Sequence, residues 1–127
     1  MKEFKLKVTR EDMDDIMVSA LEGGINYWCE RAEVVGGEYL GIFASEEIGK
    51  GGSLRLYDME QDATYILDGD KLLYGIKRYL EEGNKPYDIL LETADSDGYK
   101  RLDCGMIDAI VSDIIIQYAV FGEVVYS

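Results

Sequence analysis

The stretch Met106–Phe121, MIDAIVSDIIIQYAVF, decides the fold of this chain: it is a long apolar run bracketed by Gly105 and Gly122. At about 100° per residue, Ile107, Ile110, Val111, Ile114, Ile115, Tyr118 and Phe121 fall on one side. Asp108, Ser112, Asp113 and Gln117 fall on the other. Three successive isoleucines would also suit a buried strand, but a run of about four turns with polar residues recurring at i, i+4 reads as the central helix of the core. It is too short, and too interrupted by acids, to span a membrane. Ala109, Ile116 and Val120 form a second apolar strip. The helix is therefore either sandwiched between two layers, or covered along that strip by a partner or a second copy of the chain. Asp108 and Asp113 project about 140° apart, so they need not converge on one atom, and Asp108 suits a helix cap.

Working outward, two further helices are predicted. Thr9 offers an N-cap hydroxyl with Asp12 three residues on, a short-armed capping box, and a helix over Arg10–Glu22 buries Met13, Ile16, Met17, Ala20 and Leu21. Gly23–Gly24 stop it, one of them left-handed. Asp68-Gly-Asp70 supplies a cap for Lys71–Glu82, whose apolar stripe is Leu72, Leu73, Ile76, Tyr79 and Leu80, with Lys71, Lys77 and Arg78 as a basic outer patch. Ser53–Asp58 and Ala63–Leu67 read as a β-hairpin. Phe4–Val8 alternates as a half-buried edge strand, and Arg31–Val35 leans to a strand. Trp28 reads as a core anchor with its indole N–H bonded to backbone. Leu40–Gly49 reads as a short helix, Asn84–Cys104 as a surface excursion with at most a short element at Ile89–Leu91, and Glu123–Tyr126 as a terminal strand. The fold class is α+β: a single domain, residues 1–127, with about three helices on a small, mainly antiparallel sheet containing the hairpin.

Composition bounds the chemistry. At 127 residues and 47% hydrophobic content the chain can bury one real core. There are no histidines, which removes the usual general base and the commonest zinc ligand. Cys29 and Cys104 lie far apart and outside any CxxC pairing, as reduced thiols do. Gly49-Lys-Gly-Gly52 lacks phosphate-loop spacing, and Asp95-Ser-Asp97-Gly98 lacks the further ligands of a calcium loop. No catalytic residue, cofactor or metal site is assigned. Without a leader-like or membrane-spanning run, the expected location is the cytoplasm.

The 26 acids against 13 bases leave a formal charge of −13. Such a field repels nucleic acid and acidic lipid and attracts basic surfaces. Direct nucleic-acid binding is disfavoured, and the expected partner is a protein with a basic surface. Ten tyrosines suit a binding surface. Glu11, Asp12, Asp14 and Asp15, close like-charge neighbours on the first helix, are the candidate recognition acids, weighed against simple complementation of the helix dipole. Ile116 and Val120 are the candidate apolar contact for a partner or for a homodimer.

Ala20–Val35 (ALEGGINYWCERAEVV), Ala44–Asp58 (ASEEIGKGGSLRLYD) and Ala109–Val125 (AIVSDIIIQYAVFGEVV) together resemble an uncharacterised family of small acidic proteins. Phages and integrative or conjugative elements of Gram-positive (Firmicutes) bacteria carry that family. The resemblance implies a mobile-element accessory protein, a setting in which small acidic proteins oppose host defence by occupying the DNA-binding surfaces of restriction or CRISPR enzymes. It carries over no catalytic residues. Three readings follow: a non-enzymatic acidic binding protein, an enzyme or ligand-binding domain with an acid-lined pocket, and a structural homo-oligomer.

Overall fold

The structure, a computed structural model, describes residues 5–83 and 85–127. Phe4 and Asn84, each at the head of a segment discussed above, lie outside the described residues. In chain order the elements are β1 (Leu6–Lys7), α1 (Arg10–Ser19), a π-helical turn (Ala20–Gly24), β2 (Cys29–Val34), β3 (Leu54–Asp58), β4 (Ala63–Leu67), α2 (Gly69–Glu81), β5 (Lys100–Arg101) and α3 (Ala109–Phe121). Short 3-10 turns interrupt the loops at Ala44–Glu46 and Cys104–Met106. The fold is α+β, with the three helices gathered on an antiparallel sheet of order β2-β3-β4; β1 and β5 form a separate parallel pair.

The central helix starts where its chemistry directs. The Asp108 side chain accepts from Val111 N–H, and Gly122, at φ +77°, closes the other end by donating to the Tyr118 carbonyl. α2 crosses α3 at very short range because Gly75 has no side chain: a Cβ there would press into the Ile115 carbonyl oxygen and lie 3.0 Å from Ala119 Cβ. On the other flank, a Cβ on Gly24 would fall 2.7 Å from Ser112 Oγ and 2.8 Å from the Ala109 carbonyl oxygen. Two glycines thus let two elements approach one helix backbone, and the core forms around Val111, Ile115, Ile116, Leu72, Ile76, Ile16 and Trp28.

Several expectations hold and others are corrected. The Thr9–Asp12 capping box is present in both directions, and the hairpin joins β3 and β4 in the register Asp58↔Ala63 to Leu54↔Leu67. Both cysteines are free thiols. The first helix does not stop on a left-handed glycine: it runs into the π-helical turn, and Gly23 has φ 175°, which is extended backbone. Leu40–Gly49 forms no helix beyond its 3-10 turn, because the Glu46 and Glu47 carboxylates take the backbone donors of this segment. The 85–104 excursion is pinned to the core by Ile89 and Leu102, both buried, and by a bridge between Leu90 and Leu102. The basic patch on α2 is dispersed: Lys71 donates to the Ile66 carbonyl, and Arg78 donates to the Gly122 carbonyl while lying over the Tyr118 ring.

The largest correction concerns the sides of α3. Asp113, Gln117 and Ser112, assigned to the polar exterior, are buried, whereas Ile110 is 58% exposed. The helical wheel identifies two sides, and the run buries residues of both: Ile107, Val111 and Ile115 of the apolar side as well as Ser112, Asp113 and Gln117 of the polar one.

Candidate functional site

The buried polar side of α3 is a closed network. Asp113 accepts from Trp28 Nε1 at 2.8 Å, from the Tyr27 hydroxyl at 2.5 Å and from Gln117 Nε2 at 3.0 Å. The indole N–H expected to meet backbone therefore meets a carboxylate. Burial and the Asp113 carboxylate both push the Tyr27 hydroxyl above its usual range. Gln117 Oε1 accepts from Val125 and Tyr126 N–H at 2.8 Å each, and the Tyr126 hydroxyl donates to Asp58 at 2.8 Å. The C-terminal segment expected as a strand is instead held along α3 by a side-chain amide, with the Tyr126 ring stacked on Trp28 at 5.7 Å. Every carboxylate in the network is fully engaged with chain donors, so its role is to fix the C-terminal segment and the indole.

The four acids of the first helix are not equally presented. Glu11 and Asp15 are exposed. Asp12 is buried, accepts from Thr9 N–H at 2.9 Å and lies 3.7 Å from Arg101. Asp14 is half-buried beside Glu46, and its Oδ1 has no hydrogen-bond partner; burial first, then Glu46, raises its pKa. Ile116 is fully buried between the helices, as the sandwiched alternative requires, whereas Val120 is half-buried and Ala109 is exposed. Asp95 and Asp97 spend their oxygens on Arg101, and on Tyr99 N–H and Lys7.

Two surface features were not singled out from the sequence. The first is the loop Tyr39–Phe43, where Tyr39 and Leu40 are each 55% exposed, Phe43 66% and Ile42 81%. This apolar tip is held in shape from beneath. Glu46 Oε1 accepts from Ile42 N–H at 2.9 Å and Phe43 N–H at 3.0 Å, and buried Glu47 accepts from Leu40 N–H at 2.9 Å. Those backbone donors keep the Glu46 carboxyl below its usual pKa. The sequence signal was present: an apolar pentapeptide followed by Ala-Ser-Glu-Glu, a pattern that also fits a short amphipathic helix. The second feature is a cleft of about 410 Å³ between the π-helical turn and the start of β2, bordered by Leu21, Ile25, Cys29, Ala32 and Ala44. Burial raises the pKa of the Cys29 thiol beside it.

No helix among the described residues is long and apolar enough to cross a membrane. Comparison with protein-family models, with curated proteins and with solved structures found no match to the chain.

Proposed function

We propose that this chain is a non-enzymatic acidic binding protein of the cytoplasm, which docks on a protein whose basic surface handles nucleic acid. The observation that carries the reading is the Tyr39–Phe43 loop: four large apolar side chains presented to solvent on a backbone fixed by two carboxylates. A preshaped apolar anchor loses little conformational freedom on binding, and exposed apolar groups of this density mark interaction sites. The chain's charge of −13 supplies the complementary term, drawing the anchor toward basic surfaces and speeding encounter. Within the first-helix acids, Glu11 and Asp15 are free to contribute to that field, while Asp12 serves its cap.

The resemblance of Ala20–Val35, Ala44–Asp58 and Ala109–Val125 to mobile-element proteins supports the narrower reading, an anti-restriction or anti-CRISPR inhibitor. In that reading the acids take the place of nucleic-acid phosphates on the target. The test is binding of purified chain to such an enzyme in the presence of competing DNA. Mutual exclusion, weakened by salt and by Ile42→Asp or Phe43→Asp, is the expected result; simultaneous binding of DNA and chain defeats the inhibitor reading.

A further inference from the structure

β2 is an edge strand, and its outer edge is open at one place. Val35 N–H donates to the Ser53 carbonyl at 3.0 Å, which makes that pair hydrogen-bonded in a ladder that continues through Glu33↔Arg55 and Arg31↔Tyr57. By the alternation of antiparallel pairing, the N–H and C=O of Ala32 point away from β3. Neither has a hydrogen-bond partner among the described residues, whereas the Val34 carbonyl beyond it is taken by Gly37 N–H. A bulge between Cys29 and Arg31 ends the regular ladder on the other side. The opposite sheet edge is partly covered, since Lys71 Nζ bonds to the Ile66 carbonyl at 2.9 Å. β2 has no proline or lysine; what guards its edge is the bulge and the charges of Glu30, Arg31 and Glu33, which a partner strand must match.

We propose that this edge pairs with β2 of a second copy, antiparallel about a two-fold axis at Ala32, to give one six-stranded sheet. The side chains select both the occupant and the register. Centred on Ala32, the pairing sets Arg31 opposite Glu33 of the second copy, and Glu33 opposite its Arg31, on the solvent face. A shift of the axis to Arg31 or to Glu33 sets like charges face to face, which is unfavourable. Arg31 already lies 3.8 Å over the Tyr57 ring and 2.7 Å from Glu33, so the guanidinium is poised at the edge rather than ranging through solvent. The ring of two arginines and two glutamates is itself neutral, and Glu30 of each copy, 3.6 Å from its own Arg31, adds one negative charge apiece at its ends. The same antiparallel sense carries Val35 of the second copy, an exposed side chain, toward the Cys29 end of β2, where the cleft of about 410 Å³ opens. None of this depends on the partner-binding reading above, because it uses neither the Tyr39–Phe43 loop nor the acids of α1.

Sedimentation equilibrium over a range of chain concentrations tests the pairing. The unmodified chain is expected to reach twice its monomer mass. Ala32→Pro removes the outward N–H, which has no partner among the described residues, and is expected to give a folded monomer. R31E and E33R should each weaken the dimer about tenfold or more, because two symmetry-related pairs change sign, and R31E/E33R should restore it. A chain that stays monomeric at its solubility limit overturns the proposal. So does a dimer indifferent to both single reversals, or a double variant no tighter than either single one; should Ala32→Pro not fold, the charge series decides.

Discussion

The Gln117 side-chain amide holds the backbone of Tyr126 as a neighbouring strand would, accepting from its N–H at 2.8 Å and donating to its C=O at 3.0 Å. One amide on a helix thus replaces a strand partner, and it is itself fixed by Asp113 four residues earlier.

Removing either member should loosen the same segment. Gln117→Ala is expected to cost about 2 kcal/mol, and amide exchange at Val125 and Tyr126 should rise before the core opens. Asp113→Ala strands the buried Trp28 N–H and should cost about 3 kcal/mol. Denaturant unfolding with tryptophan fluorescence measures both. A loss under 0.5 kcal/mol, roughly that of an ordinary surface substitution, in Asp113→Ala would mean the network is not formed.

Gly75→Ala tests the α2–α3 crossing. The added methyl meets backbone rather than a movable side chain, so overpacking should cost about 2 kcal/mol or more despite alanine's better helix propensity. A stabilised Gly75→Ala variant would show the helices lie farther apart than described here.

Asp14 gives a pH signature. Its folded pKa is raised, so its protonated form is favoured by folding; that stabilisation is present in acid and is lost as pH rises through the folded value. Asp14→Asn should therefore be the more stable protein near pH 7, and that advantage should vanish near pH 3, where the native carboxyl is also neutral. Equal stability of the two proteins at both pH values would contradict the placement of Asp14 against Glu46.

The thiols should be inert in the folded state. Burial, then Asp12 nearby, pushes the Cys104 thiol up to about 12, and burial raises Cys29. Alkylation at neutral pH should follow global unfolding for both. Because the raised Cys104 value favours the protonated thiol, its contribution to stability is full below about pH 9 and declines as pH rises toward 12. Rapid labelling of Cys104 under native conditions would contradict this environment.

What the sequence reveals is local. The Thr9–Asp12 box, the Asp68 and Asp108 caps, the hairpin and the α3 run are set by residues within a few positions of one another, and each forms, α3 beginning at Ala109 rather than Met106 because Asp108 caps it. What it conceals depends on distant partners. Asp113 and Gln117 can be buried only because Tyr27 and Trp28, more than eighty residues away in sequence, and Tyr126 meet them with matching donors and acceptors. A wheel that sends polar residues to solvent cannot anticipate that satisfaction. Of the two alternatives for the second apolar strip, the sandwiched one holds at Ile116, which is fully buried, while the Tyr39–Phe43 loop escapes a sorting that sends every isoleucine inward.

Affinity capture on the immobilised chain from a Gram-positive lysate, followed by titration of the purified pair with salt and competing DNA, tests the binding function most directly. The expected result is a nucleic-acid-binding protein that releases DNA when the chain binds. Its affinity should fall steeply as screening shortens to about 8 Å near physiological ionic strength, and at least tenfold again in an Ile42→Asp/Phe43→Asp variant that keeps its fold. A captured protein that retains its DNA, and binds the chain regardless of salt and of both loop substitutions, would contradict it.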